Sequence, residues 1–205
     1  MLQLASALPG LVIHASDGTI GTVSDLLFDD RTWALRWLVA ETGGWLPGRK
    51  LRLHPSAVTH AGGRSGAFFV TLTRAALDTG TLNEDGDPHL RSAGSIRNYH
   101  ILGSDGAIGH VENFLIDPAS WAIRYLIIET RHWWPGEHVL ISPRAVTEMS
   151  WPDHQLRLAV TRAQIKAAPK WDPAAAIDEF YEQQLHGHYG WPNPIAGTTH
   201  PPVTQ

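Results

Sequence analysis

Twelve histidines, 20 acidic residues and no cysteine set the chemistry open to this chain of 205 residues. His132 and His138 flank Pro135-Gly136, where a hairpin could turn both rings toward one ion, and His186 and His188 stand together further on. A structural zinc takes four ligands and a catalytic zinc three plus water, and neither pair has a third donor at a matching spacing. The expectation is no metal and no cofactor. Without cysteine there are no thiolate ligands, disulfides or cysteine nucleophiles. Arg36 and Glu41, repeated as Arg124 and Glu129, are the next candidates for acid/base work. Five positions along a strand place them on opposite faces, so the pattern favours cross-strand ion pairs over paired proton transfer. No GxSxG elbow, P-loop, dinucleotide fingerprint or HExxH is present, and the chain reads as non-enzymatic.

The elements that would carry these residues are written twice. "WLPGRKLRLHPSAV" at 45–58 returns as "WWPGEHVLISPRAV" at 133–146, and Gly21, Trp33, Pro47 and Thr73 return as Gly109, Trp121, Pro135 and Thr161 at one constant offset. Between His14–Val58 and Leu102–Val146 about 20 of roughly 45 aligned residues are identical without a gap, which marks an internal duplication. Asp17-Gly18 and Asp105-Gly106 predict hairpin turns, because a type I′ turn needs positive φ at both central residues. Asp29-Asp30 and Asp117-Pro118 predict a second turn in each copy. "WALRWLVAET" and "WAIRYLIIET", apolar on both faces, predict central strands. Pro47-Gly48 and Pro135-Gly136 then lead into strands that complete five or six per copy.

Thr73 and Thr161 predict N-caps of short closing helices. Residues 79–98, rich in Gly, Asp, Asn and Ser, read as a linker. Asp172, with Pro173 at the first helical position, predicts a C-terminal helix with Ile177, Phe180, Tyr181 and Leu185 on one stripe and Gly187 at its end. The tail from Trp191 reads as disordered. The expected organisation is repeat 1 at 1–78, linker at 79–98, repeat 2 at 99–168, C-terminal helix at 169–190 and tail at 191–205.

Apolar residues make up 43% of the chain and charged residues 18%, a composition of compact domains. The net charge of -4 weighs against a DNA binder, and against an RNA or ribosome-processing role that relies on neutralising phosphates. The N-terminus lacks the basic region of a signal peptide, and the apolar run Tyr125–Ile128 falls far short of the roughly 20 residues that span a bilayer. The expected location is the cytoplasm, with peripheral attachment to a membrane left open.

"DGTIGTVSDLLFDD" and "DGAIGHVENFLIDP", followed by "RWLVAETGGWLPGRK" and "RYLIIETRHWWPGEH" and by "SPRAV", resemble the PRC-barrel family across both repeats. With "KWDPAAAIDEFYEQQLHGHYG" the layout is similar to a bacterial subgroup of two-barrel proteins. The resemblance implies a mainly β fold of two tandem PRC-type small β-barrels packed together, with short closing helices and a C-terminal helix. It also implies an interaction module, as in the cytoplasmic part of the photosynthetic reaction-centre H subunit and in a ribosome-maturation factor. This chain lacks the membrane helix of the first and the N-terminal domain of the second.

The expected function is therefore that of a non-catalytic adaptor or scaffold whose partner is another protein, with self-association possible. An assembly factor of a membrane or photosynthetic complex, an RNA-processing factor and an enzyme with a cleft between the barrels are the alternatives. Of the nine tryptophans, Trp134 and Trp191 have no tryptophan counterpart in the other copy and are candidate anchors. Arg49 and Lys50 align with Glu137 and His138, so this turn carries opposite charge in the two copies and completes the candidate interaction surface.

Overall fold

The computed structural model describes residues 1–44, 46–61, 66–78, 86–130, 138–173 and 175–192. The chain is mainly β, with two multi-stranded sheets and few helices. The first repeat supplies β1 (Gln3–Leu4), β2 (Val12–Ala15), β3 (Gly18–Asp29), β4 (Ala34–Thr42), β5 (Lys50–Leu53), β6 (Val58–Ala61) and β7 (Ala67–Val70). The short α1 (Arg74–Asp78), β8 (Leu90–Ser92) and α2 (Ala93–Ile96) follow. The second repeat supplies β9 (His100–Gly103), β10 (Gly106–Ile116), β11 (Ile123–Glu129), β12 (His138–Ile141), β13 (Val146–Ser150) and β14 (Gln155–Leu158), then α3 (Arg162–Lys166) and α4 (Glu179–Tyr189).

The duplication read in the sequence reappears as topology. One sheet runs β5-β4-β3-β2-β7-β6 and the other β12-β11-β10-β9-β14-β13, each with one parallel pair, β2 with β7 and β9 with β14. Even the irregularities coincide: β3 has register shifts against β4 at Val23/Asp25 and Leu27/Phe28, and β10 against β11 at Val111/Asn113 and Leu115/Ile116. Such bulges bend a strand and raise its twist, which lets one long strand serve two sets of neighbours. Among the described residues each strand path keeps two open ends, and no ladder joins β5 to β6 or β12 to β13.

The mirrored motifs have mirrored contacts. Asp17 Oδ1 accepts from the Arg74 amide at 2.8 Å, and Asp105 Oδ1 from the Arg162 amide at 2.8 Å, so each first hairpin holds the start of its closing helix. Thr161 caps α3 in a reciprocal box with Gln164, and the Thr73 hydroxyl accepts from the Ala76 amide at 3.2 Å. Gly21 and Gly109 lie against the neighbouring strand so closely that a Cβ would stand 1.9 Å from the carbonyl oxygen of Glu41 or Glu129. Only glycine permits that approach.

Two compact units emerge, and each borrows from the other repeat. The N-terminal unit is Leu4–Ser95 with Pro118–Ala122, and the C-terminal unit is Met1–Gln3, Ile96–Asp117 and Ile123–Gln205. Trp33 is buried in the N-terminal unit, stacked on Phe28 at 5.2 Å between ring centres. Its counterpart Trp121 belongs to that same unit: the Leu35 amide donates to the Trp121 carbonyl at 2.9 Å, and the indole lies 6.1 Å from Phe68. Both tryptophans sit at positive φ, 55° and 58°, in equivalent tight turns.

Two boundaries differ from the sequence reading. The expected linker at 79–98 is structured over its second half, where β8 pairs with β3 and α2 follows. The polar residues that suggested a loop are used there: His89 and Arg91 contact the two carboxylate oxygens of Asp30 at 2.9 and 2.8 Å. The C-terminal helix begins at Glu179 rather than after Asp172, because Asp178 takes the cap by accepting from the Tyr181 amide at 2.7 Å. It continues through Gly187 and ends at Gly190, whose φ of 69° supplies the left-handed terminus. Phe180 is 67% exposed; the packed residues are Tyr181, Leu185 and Tyr189, four apart. The tail beyond 192 lies outside the described residues.

The glycine contact gives a direct test. Gly109→Ala is expected to lower the unfolding free energy by about 3 kcal/mol or more, since neither strand can move away without breaking its ladder. Gly43→Ala, where a Cβ would meet nothing within 4 Å, should change it by less than about 0.5 kcal/mol. Chemical denaturation of both variants measures the difference.

Candidate functional site

The best-built site in the C-terminal unit is the sheet face beneath α4. Leu115 on β10 pairs in register with Tyr125 on β11, and Ile127 pairs with Leu140 on β12, so alternation brings the four side chains to one face. Leu185 of α4 is fully buried against them, and Leu2, Trp171, Ile177, Tyr181, Tyr189 and Trp191 pack around that contact. Full burial of a leucine side chain contributes about 2 kcal/mol. A helix as short as α4 is marginal alone, so this face is what keeps it folded.

A polar network fixes the helix at one register. The Tyr125 hydroxyl donates to Glu182 Oε1 at 2.8 Å and lies 2.9 Å from His186 Nε2. Arg124 Nη2 donates to the same glutamate oxygen at 3.0 Å, while its Nη1 stands 3.9 Å from Asp117. His186 Nδ1 lies 2.6 Å from the Pro192 carbonyl, an acceptor only, so that nitrogen carries a proton, and Nε2 faces the Tyr125 hydroxyl. Burial, together with the charge of Glu182, pushes the Tyr125 phenol well above its ordinary range. Tyr125 is therefore a neutral donor. The network is chemically a clamp: one cation, one carboxylate, one phenol and one imidazole hold the helix to the sheet.

The residues singled out from sequence fall in several places. Arg124 finds Glu182 and Asp117, and Glu129 finds His110 at 3.1 Å across the β10–β11 ladder. Arg36 stands 3.6 Å from Asp29 across β3 and β4. His186 and His188 turn to different partners, since His188 Nε2 lies 2.7 Å from the Gln164 carbonyl. Trp191 is half-buried, stacked on Tyr189 at 4.3 Å between ring centres and edge-on to His186. Arg49 and Lys50 are exposed at the start of β5, and His138 contacts Glu112 at 2.8 Å. Trp134, Glu137 and His132 lie outside the described residues.

Sequence reasoning missed Tyr125, Glu182 and the clamp they form. The available signals were the pair Glu182 and His186, four apart on one helical face, and a tyrosine where the first copy has Trp37.

The equivalent face of the N-terminal unit is dressed differently. Leu27 pairs with Trp37, and Val39 with Arg52, in the positions of Leu115 with Tyr125 and Ile127 with Leu140. Leu27 and Trp37 are half-buried, and the Trp37 ring meets His54 edge-on at 5.6 Å. The α2 turn borders this face at Asp25, whose Oδ1 accepts from the Gly94 amide at 3.4 Å. The side chain of Arg36 is 46% exposed, against 20% for its counterpart Arg124. A separate apolar patch on β2 and β7 exposes Val12 at 36% and Phe69 at 41%, with Phe69 stacked on His14.

In comparisons with known proteins, no family model matches the chain and no curated protein matches it at a significant level. Among the described residues no helix is long and apolar enough to cross a membrane.

The clamp makes stability depend on pH. Burial holds His186 below the usual imidazole range, the Pro192 carbonyl and Glu182 pull it upward, and Arg124 and Arg144 push it down. The folded value is depressed, so the unfolded chain binds the proton more readily; the stability held by neutral His186 is complete above about pH 6.5 and is lost as pH falls below it. Unfolding midpoints measured from about pH 7.5 down to about pH 5 should fall more steeply for the natural protein than for His186→Gln. Equal slopes would place the pH dependence elsewhere.

Proposed function

We propose that this chain is a tandem β-module of the PRC-barrel type that acts as a non-catalytic protein–protein interaction scaffold. The observation that carries the reading is the use made of its reactive side chains. Arg124, Glu129, Tyr125, His186, Asp29 and Asp30 each hold one element to another within a unit. Groups so engaged brace a fold, and catalysis requires groups that meet a substrate. The repeat motifs serve turns, caps and a close strand crossing, which supports architecture as the reason they are written twice.

A scaffold needs surface to offer, and the N-terminal unit has more apolar surface open on its sheet than its copy. Val12 and Phe69 stand where the second repeat has His100 and Arg157, and half-buried Leu27 stands where Leu115 is buried. The net charge of -4 favours a protein surface over a polyphosphate as the partner.

Crosslinking and affinity purification of the tagged full chain from native lysate, with soluble, membrane and ribosomal fractions kept apart, tests this. The expected result is a reproducible protein partner crosslinked to the N-terminal unit and retained at high salt. Recovery of the protein with no partner, or with a stoichiometric small molecule in native mass spectrometry, would contradict it.

A further inference from the structure

We propose that the face of the N-terminal unit formed by half-buried Leu27 and Trp37, beside the buried Val39, is a docking surface for an amphipathic α-helix of a partner protein, one that carries a carboxylate for Arg36. The proposal rests on the scaffold reading and adds to it the kind of partner and the place of contact.

The duplication supplies the argument. In the C-terminal unit the same four sheet positions receive a helix, with Leu185 seated on Leu115, Tyr125, Ile127 and Leu140. The arginine at the edge of that face is engaged twice, at 3.0 Å by Glu182 from the helix and at 3.9 Å by Asp117 from β10 and its turn. The N-terminal unit repeats the sheet, the register and the bulges, and it repeats the inner half of the ion pair as Arg36 with Asp29 at 3.6 Å. Among the described residues the carboxylate that a helix would bring has no counterpart in the first copy, and Arg36 keeps more than twice the exposure of Arg124.

The substitutions adjust the face without abolishing it. Trp37 offers a larger apolar surface than Tyr125, and tryptophan is the residue type most often found as an interface anchor. Arg52 takes the place of Leu140, so the fourth position of the face is no longer apolar. Chain geometry agrees. α4 is tethered close to its own face and acts there at high effective concentration, so it is not available to the other. The helix for the first face must then come from another protein.

The test uses the full chain and two synthetic peptides. One is the segment Asp178–Pro192, and the other is the same segment with His186→Leu, which replaces the imidazole that meets the Tyr125 hydroxyl with an apolar contact for the indole. Binding is read from the Trp37 indole resonance by NMR, assigned by its loss in Trp37→Phe. At least one peptide is expected to shift that resonance with saturation, and Arg36→Gln in the protein or Glu182→Gln in the peptide should each weaken binding about tenfold, a loss of about 1.4 kcal/mol. Asp29 retains Arg31 at 3.0 Å in the Arg36→Gln protein, so the turn keeps its ion pair.

Three results would overturn the proposal: no shift with either peptide, shifts confined to Tyr125 and Leu140 through exchange with α4, or a Trp37 shift that grows with protein concentration alone and marks a second copy as the occupant. A native partner crosslinked only to the Val12–Phe69 patch would remove this face and leave the scaffold reading standing. Saturable peptide binding with no native partner would do the reverse.

Discussion

Everything in each unit follows from one crossing. At Gly21 and Gly109 the backbone of the long strand lies against the carbonyl oxygen of its neighbour, at a distance that excludes any side chain. A strand held that close must bend, and the register shifts that follow show the bend being taken up residue by residue. The bend lets β3 pair with β2 along one half and with β8 along the other, while β4 keeps the opposite edge. The sheet that results has a second face that must be covered within each unit.

How that second face is covered separates the two copies. In the C-terminal unit it is closed by a helix held by apolar contact and by a four-residue polar clamp, a pairing that combines non-directional burial with directional bonds. The half-buried charges of the clamp satisfy one another, so they fix the helix register more than they raise stability. In the N-terminal unit the sheet positions are retained and the covering differs.

Much of this architecture was legible in the sequence, for reasons that are local. Asp-Gly at a hairpin, threonine before a helix and glycine at a crossing each act through their own backbone, so their types announce their roles. What stayed hidden depends on residues far apart. His89 and Arg91 read as loop because nothing nearby reveals that Asp30 awaits them. Trp33 and Trp121 read as equivalent because the offset is constant, yet both serve the N-terminal unit, since a segment exchanged between repeats leaves no periodic trace. The C-terminal helix starts later than Asp172-Pro173 signals, because the deciding contacts, Tyr181 and Leu185 on the sheet, are tertiary. The clamp was half visible: Arg124 was identified as an ion-pair residue, and its partner Glu182 was not.

One sheet face exists twice, covered by α4 in the second copy and left half-buried at Leu27 and Trp37 in the first. Hydroxyl-radical footprinting of the native chain, scored as protection of each ring relative to the unfolded chain, addresses it most directly. Tyr125 should be almost fully protected and Trp37 clearly less so, and truncation before Asp178 should expose Tyr125 while leaving Trp37 unchanged. Equal protection of Trp37 and Tyr125 in the full chain would show that the first face is already covered, and would contradict the account.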